Sequence, residues 1–429
     1  MGGEIDWLAA DLRHVWHPYT QMLTALPPLP IERAEGVYFH LRDGRRILDG
    51  ISSAWVNIHG HNHPRLNRAL ASQVERFTQV AFTGFTHEPA ARLAAELARR
   101  APGDLQRVFF SDDGSTAVEV ALKMSYQLWR NRGEKWRTLF VAFDDAYHGE
   151  TLGAMAAGGL AGFLAGFSPL FFEARRARTP SSARRGSSSP SLAEILERDG
   201  DQVAAVILEP ILQGSGGMRI HDAAFLREVR EETRRRGIPL IADEVLTGFG
   251  RTGRLFACEH GPIEPDLLCL SNALTGGYLP MAVTLTTEEV YAAFLSEDRS
   301  RAFSHGHSFS GNALSCAVAL ESLALFDDED RLGRIARLER LFARRLKRLR
   351  SHPRVAETRG TGAVAVLELR TDGEDLGGLS SRLTDALLDR GVLLQPLGNI
   401  LYFMPPYVIT DDEASGVFDA IADALDHLG

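Results

Sequence analysis

Lysine is almost missing from this chain: Lys123, Lys135 and Lys347 stand among 47 basic side chains, and the rest are arginine. Chemistry that needs a neutral amine is confined to those positions, because arginine keeps its proton. Cys258, Cys269 and Cys316 are too few and too scattered for a disulfide framework, and read as buried thiols of a reducing compartment. No run of about 18 apolar residues occurs, as a membrane-crossing helix would need. The acidic start MGGEIDW has neither the basic end nor the apolar stretch of a signal peptide, so a cytoplasmic protein is expected. With a formal charge of -9 there is no basic field to displace phosphate counterions, which argues against nucleic acid as the main partner.

What remains is a chain of 429 residues and 45% hydrophobic content, with room for two or three packed units. Strand-like runs at 107–113, 138–143, 203–210, 238–245, 267–271 and 281–286 alternate with amphipathic helical patterns. One helix carries Ala117, Ala121, Met124 and Leu128 at helical spacing, with Thr116 and Glu119 expected as its capping box. Another should run from about Asp222 to Arg236 and stop at Gly237. Such alternation predicts an α/β domain with a largely parallel sheet. From about residue 313 the pattern changes to long Arg-rich helices and then short strands around AVAVLEL and ILYFMPP, which predicts a smaller α+β domain. The expected division is 1–60 joining the small domain, 61–325 as the large domain and 326–429 as the small one. RRARTPSSARRGSSSPS (175–191) reads as a mobile surface loop, and no internal repeat is present.

Four segments carry chemistry. SDDGSTAVE (111–119) is a strand end, a Gly turn and a helix start, where backbone N–H groups with Ser115 and Thr116 could hold an anion or simply cap a helix. AYHGET (146–151) offers Tyr147 to stack on a flat ligand, or a Tyr-His pair that only packs. In IADEVLTGFGRTG (241–253), Asp243 closes an apolar strand at the end where α/β sheets place ligands, and a buried carboxylate there needs a partner such as a protonated ring nitrogen. Gly248, Gly250 and Gly253 form a formal GxGxxG, but Gly261 and Pro262 interrupt the stretch where its helix would have to run, and no βαβ unit closes around it. The histidines of HGHNH (59–63) and HGH (305–307) read as loop packing and hydrogen bonding; with no HExxH or CxxC, no metal is expected.

Taken together, these segments resemble the class III, fold-type I aminotransferases that use pyridoxal 5′-phosphate. The motifs are WHPYTQM, DGRRILDGISSAWVNIHGHNHP, SDDGSTAVEVALKM, AYHGET, ADEVLTGFGRTG, ALTGGYLPMAVT and HGHSFSGN, in order over nearly the whole chain. Within that family the pattern is most like the branch serving biotin biosynthesis, whose members transfer an amino group from S-adenosylmethionine, or in related enzymes lysine, to 8-amino-7-oxononanoate, giving 7,8-diaminononanoate. The resemblance implies that Gly114 and Ser115 hold the phosphate, with His148 and Val245 beside the cofactor. It places Tyr147 on the pyridine face and Asp243 on the ring nitrogen. It implies a homodimer in which His307 and Ser308 complete the phosphate site across the interface. Tyr19, Ala54, Trp55, Tyr147, Arg251, Gly306, Gln395 and Tyr402 fall at substrate-pocket positions.

The chain departs from the family at two cationic positions. Where these enzymes carry the lysine that forms the Schiff base and shuttles the proton, this chain has Asn272, and a carboxamide does neither. Where an arginine grips the substrate carboxylate, it has Gln395, which lacks the charged bidentate fork. Ala54 also stands where some members have a second Trp, which widens the donor pocket. The residues leave three readings open: a biotin-pathway aminotransferase with impaired turnover, another class III omega-amino acid aminotransferase, or a non-catalytic homodimer that binds the cofactor or a metabolite.

Overall fold

Six apolar runs and one polar edge strand build a single seven-stranded sheet. The computed structural model describes residues 6–160, 166–371, 373 and 375–428. The strands are β1 (Arg107–Ser111), β2 (Leu139–Phe143), β3 (Ala174–Ala177), β4 (Val203–Leu208), β5 (Leu240–Asp243), β6 (Leu267–Leu270) and β7 (Ala282–Thr286), in the order β1-β7-β6-β5-β4-β2-β3. All pairings are parallel except those of β7, which runs antiparallel to β6 and β1. Every residue of β2, β4, β5, β6 and β7 is buried. Helices cover both faces, so these strands need apolar residues on each side and show no polar alternation.

On one face lies α1 (Gly114–Arg132), whose Ala117, Val118 and Ala121 join a core with Ile207, Ile241 and Cys269 of the sheet. On the other lie Leu93 and Leu97 of the helix Glu88–Arg100, and Leu226 and Val229 of α2 (Ala223–Arg235). α2 starts at its cap Asp222 and is followed by Gly237 at a φ of +63°, close to the expected bounds. α1 begins earlier than expected. Its cap is Asp113, whose side chain accepts from Thr116 N, while Thr116 Oγ1 accepts from Asp113 N; Thr116 is therefore the third helical residue, and Glu119 plays no part in the cap. The extra turn is decided by Asp113, a stronger cap than threonine. No helix among the described residues is long and apolar enough to cross a membrane.

The stretch 175–191 is not the mobile loop expected from its composition. Its start belongs to edge strand β3, and the short helix Pro180–Arg184 follows with Thr179 as its cap. Three of its serines converge on one carboxylate: Ser182 and Ser187 donate to Asp144 Oδ2 at 2.7 and 2.6 Å, and Ser189 donates to Oδ1 at 2.7 Å. Hydroxyls that look solvating in the sequence are thus used to tie the segment down.

The second core joins both ends of the chain. Strands Ile31–Glu35, Tyr38–Leu41 and Arg46–Asp49 form a sheet completed by Val392–Leu393, which pairs in parallel with Leu48 and Asp49. Beside it β8 (Val355–Thr361), β9 (Val364–Leu369) and β10 (Ile400–Phe403) form an antiparallel sheet. The long helices of the C-terminal half divide between the two cores. α3 (Ala313–Asp328) gives Cys316, Ala319 and Leu323 to the large one, whereas α4 (Arg331–Leu349) gives Leu338, Phe342 and Leu346 to the second.

Candidate active site

Five loops leave the carboxyl ends of β1, β2, β4, β5 and β6 and meet over one cavity of about 460 Å³. That is where parallel α/β sheets gather ligand-binding groups. β1 delivers Asp113, Gly114 and Ser115; β2 delivers Tyr147, His148 and Glu150. β4 delivers Glu209 and Ser215, β5 delivers Asp243, Val245 and Leu246, and β6 delivers Asn272. The far wall comes from the second core: Ala54, Trp55, Gln395, Leu397 and Tyr402, with Tyr19 from the N-terminal segment.

Asp243 is buried at the end of β5. Its Oδ2 accepts from His148 Nδ1 at 2.7 Å, and its Oδ1 accepts from Val245 N at 3.1 Å. Glu209, buried beside it, accepts from Tyr147 N at 3.0 Å and Gly214 N at 2.9 Å. Burial and the neighbouring Asp243 push the Glu209 carboxyl up to about 8, so it is largely protonated at neutral pH. Gly114 opens α1 hard against Val245: a Cβ there would sit 2.4 Å from Val245 Cγ1, so only glycine fits. On the rim, Glu150 Oε1 accepts from Tyr19 OH at 2.6 Å and Tyr147 OH at 3.1 Å, and Glu150 N donates to Ser115 Oγ at 3.0 Å. Burial and the neighbouring Tyr19 and Glu150 push the Tyr147 phenol up, so it stays protonated.

The Ala54–Trp55 wall is a left-handed turn made without glycine. Ser52, Ser53, Ala54 and Trp55 have φ of 51°, 48°, 59° and 76°. Single non-glycine residues visit this region at a cost, so four in succession need external support. Asp49, fully buried, provides it: Oδ1 accepts from Ile51 N at 3.3 Å and Ser53 N at 2.9 Å, and Oδ2 accepts from Ser53 Oγ at 2.8 Å and lies 3.0 Å from His61 Nε2. Ser52 Oγ donates to Met404 O at 2.7 Å, and Trp55 Nε1 donates to Tyr402 OH at 3.1 Å.

Arg251 sits apart from the cavity, unlike the substrate-pocket position expected for it. It is fully buried, with its guanidinium 5.0 Å from the Tyr407 ring centre and donating to Trp55 O and Pro405 O, each at 3.3 Å. Held there, it braces the wall from behind. Gly306, His307 and Ser308 also lie outside the cavity of their own chain: His307 Nδ1 is 3.2 Å from Asp112 Oδ2, and Ser308 O accepts from Gln79 Nε2 at 2.7 Å. Of the other histidines singled out in the sequence, His59 is hydrogen-bonded with Ser322 Oγ at 3.0 Å, His61 with Asp49 Oδ2 at 3.0 Å and His305 with Lys123 Nζ at 2.8 Å, while His63 Nε2 lies 3.7 Å from Glu329 Oε1. Among the described residues no three His, Cys, Asp or Glu side chains are grouped to hold a metal ion.

Sequence reasoning missed Glu209, Glu150 and Ser215. Glu209 had a readable signal, for like Asp243 it ends an apolar strand run at the ligand end of the sheet. None of the three lysines lines the cavity, and Lys123 Nζ is 2.8 Å from His305 Nδ1, outside it.

The aminotransferase class-III family model matches residues 20–425. The chain belongs to that family, whose members depend on pyridoxal phosphate. It is 44% identical over 424 residues to the adenosylmethionine-8-amino-7-oxononanoate aminotransferase of Synechococcus elongatus, covering 97% of this chain and 99% of that one. The solved structure of the enzyme so named from Methanocaldococcus jannaschii is 36% identical and superposes with a TM-score of 0.92 over 97% of this chain and 98% of that chain. An omega transaminase from Pseudomonas jessenii, solved in complex with PMP, is 30% identical with a TM-score of 0.91 over 98% of this chain and 97% of that chain. The sheet with its second α+β unit is accordingly the fold-type I architecture.

The residues present fit the family's cofactor in all but one respect. Gly114 and Ser115 open a 19-residue helix whose free N–H groups suit a phosphate. Asp243 offers a buried carboxylate to a protonated ring nitrogen, and Tyr147 offers a wall. The missing element is an amine, because the loop leaving β6 brings Asn272 to the wall where the family resemblance calls for lysine.

Proposed function

We propose that this chain is the biotin-pathway aminotransferase that takes S-adenosylmethionine, or lysine, as donor and 8-amino-7-oxononanoate as acceptor to give 7,8-diaminononanoate, with the chemical step slowed by Asn272 and acceptor binding weakened by Gln395. The convergence of Gly114, Ser115, Tyr147, Asp243 and Asn272 on a single cavity carries this reading. When bound, pyridoxal phosphate supplies an electron sink and an aldehyde that accepts and returns the amino group.

The chain's own residues do the rest. Asp243, fixed by His148 and Val245 N, would pair with the ring nitrogen and hold a proton there. Gly114 and Ser115 would hold the cofactor's phosphate, and Tyr147 would lie against its ring. Glu150 holds the Tyr19 and Tyr147 hydroxyls at the mouth, where they meet the substrate. Trp55 and Tyr402, hydrogen-bonded to each other, form part of the far wall. Asn272 neither bonds covalently nor moves a proton, so the proton transfer lacks its positioned base, and the rate should be lower by roughly 10²–10⁴.

In this reading the protein is a cytoplasmic homodimer in which His307 and Ser308 of each copy serve the other's phosphate site. Their position outside their own cavity supports that role. The test is a pair of variants assayed for amino transfer from S-adenosylmethionine and from lysine. Asn272→Lys should recover covalent cofactor attachment, seen by intact mass after borohydride, and Asn272→Lys with Gln395→Arg should recover transfer to 8-amino-7-oxononanoate. A double variant that binds the cofactor yet transfers from no donor to this acceptor would refute the substrate assignment.

A further inference from the structure

Among the described residues, the cavity is lined by several carboxyl groups and by no lysine or arginine. The acidic side chains that line it are Asp113, Glu150, Glu209 and Asp243. His148 lines it as well, but its Nδ1 is spent on Asp243. At the two wall positions where the family resemblance calls for cations stand the amides Asn272 and Gln395.

We infer that this site takes the cofactor in its amine form, pyridoxamine 5′-phosphate, without a covalent bond and in preference to the aldehyde form. This rests on the proposed occupation of the cavity by the family's cofactor. Two effects act in the same direction. The aldehyde form draws affinity from bonding to a protein amine, and neither Asn272 nor any lysine on the wall can supply one. The amine form carries an additional ammonium, which carboxylates in a partly enclosed cavity attract and which no lysine or arginine of the described wall repels. Phosphate and ring are common to both forms, so the ratio of their affinities isolates the group at which they differ. Glu209 is largely protonated at neutral pH and Asp243 is engaged at the ring nitrogen common to both forms, which leaves Asp113 and Glu150 to supply the attraction.

The test is calorimetric titration of the full chain, first dialysed free of ligand, with pyridoxamine 5′-phosphate and with pyridoxal 5′-phosphate in an amine-free buffer. The amine form should bind at least roughly tenfold more tightly. Borohydride should leave no adduct with the aldehyde form, and Asn272→Lys should reverse the order of affinities. Equal affinities, or tighter binding of the aldehyde form, would overturn the inference while leaving the family's cofactor in place. A preference for the amine form that persists unchanged in Asn272→Lys would also overturn it, since the missing cation would not be its cause. If neither compound binds at millimolar concentration, the cofactor reading fails together with the inference.

Discussion

The two walls of the cavity are built on different principles. The sheet-side wall is a set of short loops leaving strand ends, where Asp243 and Glu209 are fixed by backbone N–H groups within five residues of themselves or by His148 and Tyr147 on the next loop. The opposite wall is a left-handed turn of four non-glycine residues, held by Asp49 from its own strand and by Met404 and Arg251 from distant parts of the chain. A cofactor site gains rigidity cheaply from strand ends. A substrate wall built on a strained turn depends instead on buried polar contacts, and it should be the more fragile of the two.

The sharpest way to break that comparison is Asp49→Ala. It removes both acceptors from a fully buried position and strands Ser53 N and Ser53 Oγ, so a loss of about 3–5 kcal/mol is expected in urea unfolding. Asp49→Asn should recover part of it, because Oδ1 still accepts from Ser53 N. On the sheet side, Gly114→Ala forces a methyl group against Val245, which should cost about 1–3 kcal/mol and weaken phosphate-bearing ligands as well. If Gly114→Ala proves as damaging to stability as Asp49→Ala, the contrast between the walls collapses.

The pH dependence of the sheet side comes from Glu209. Its folded carboxyl titrates at about 8 against an ordinary 4.5, so the unfolded chain releases this proton first as pH rises. The contribution to stability is whole below about 4.5 and is lost as pH climbs through about 8. Glu209→Gln, which cannot ionise, should therefore flatten the decline in unfolding free energy between about pH 5 and about pH 8. An unchanged slope would mean that Glu209 is already ionised in the fold. The smallest effect belongs to a region outside both walls: Ser189→Ala removes one of three hydroxyls on Asp144 and should cost about 0.5–1.5 kcal/mol, read as faster proteolysis within 175–191.

Six of the seven strands of the large sheet are visible in the sequence as apolar runs, five of them because burial on both faces leaves a composition signature. β3 is not, since an edge strand reading ARRA carries no such signature, and the serines around it look like those of a loop until Asp144 is placed among them. Asp243 is legible as a carboxylate closing a buried strand. Glu209 bears the same mark, but the Pro210 beside it reads as an ordinary strand terminator.

The chemistry of this protein is written in its residues: the strand ends that would hold a phosphate and a ring nitrogen, and the amides at 272 and 395 where cations are expected. Those facts are local, residue by residue, and no packing can put an amine where the chain has none. Folding added that the described cavity wall lacks every lysine and arginine, that Arg251 is buried behind it, and that Ser52–Trp55 turns left-handed. Each of those outcomes is fixed by contacts between residues far apart in the chain, and SSAW contains no glycine to announce the turn.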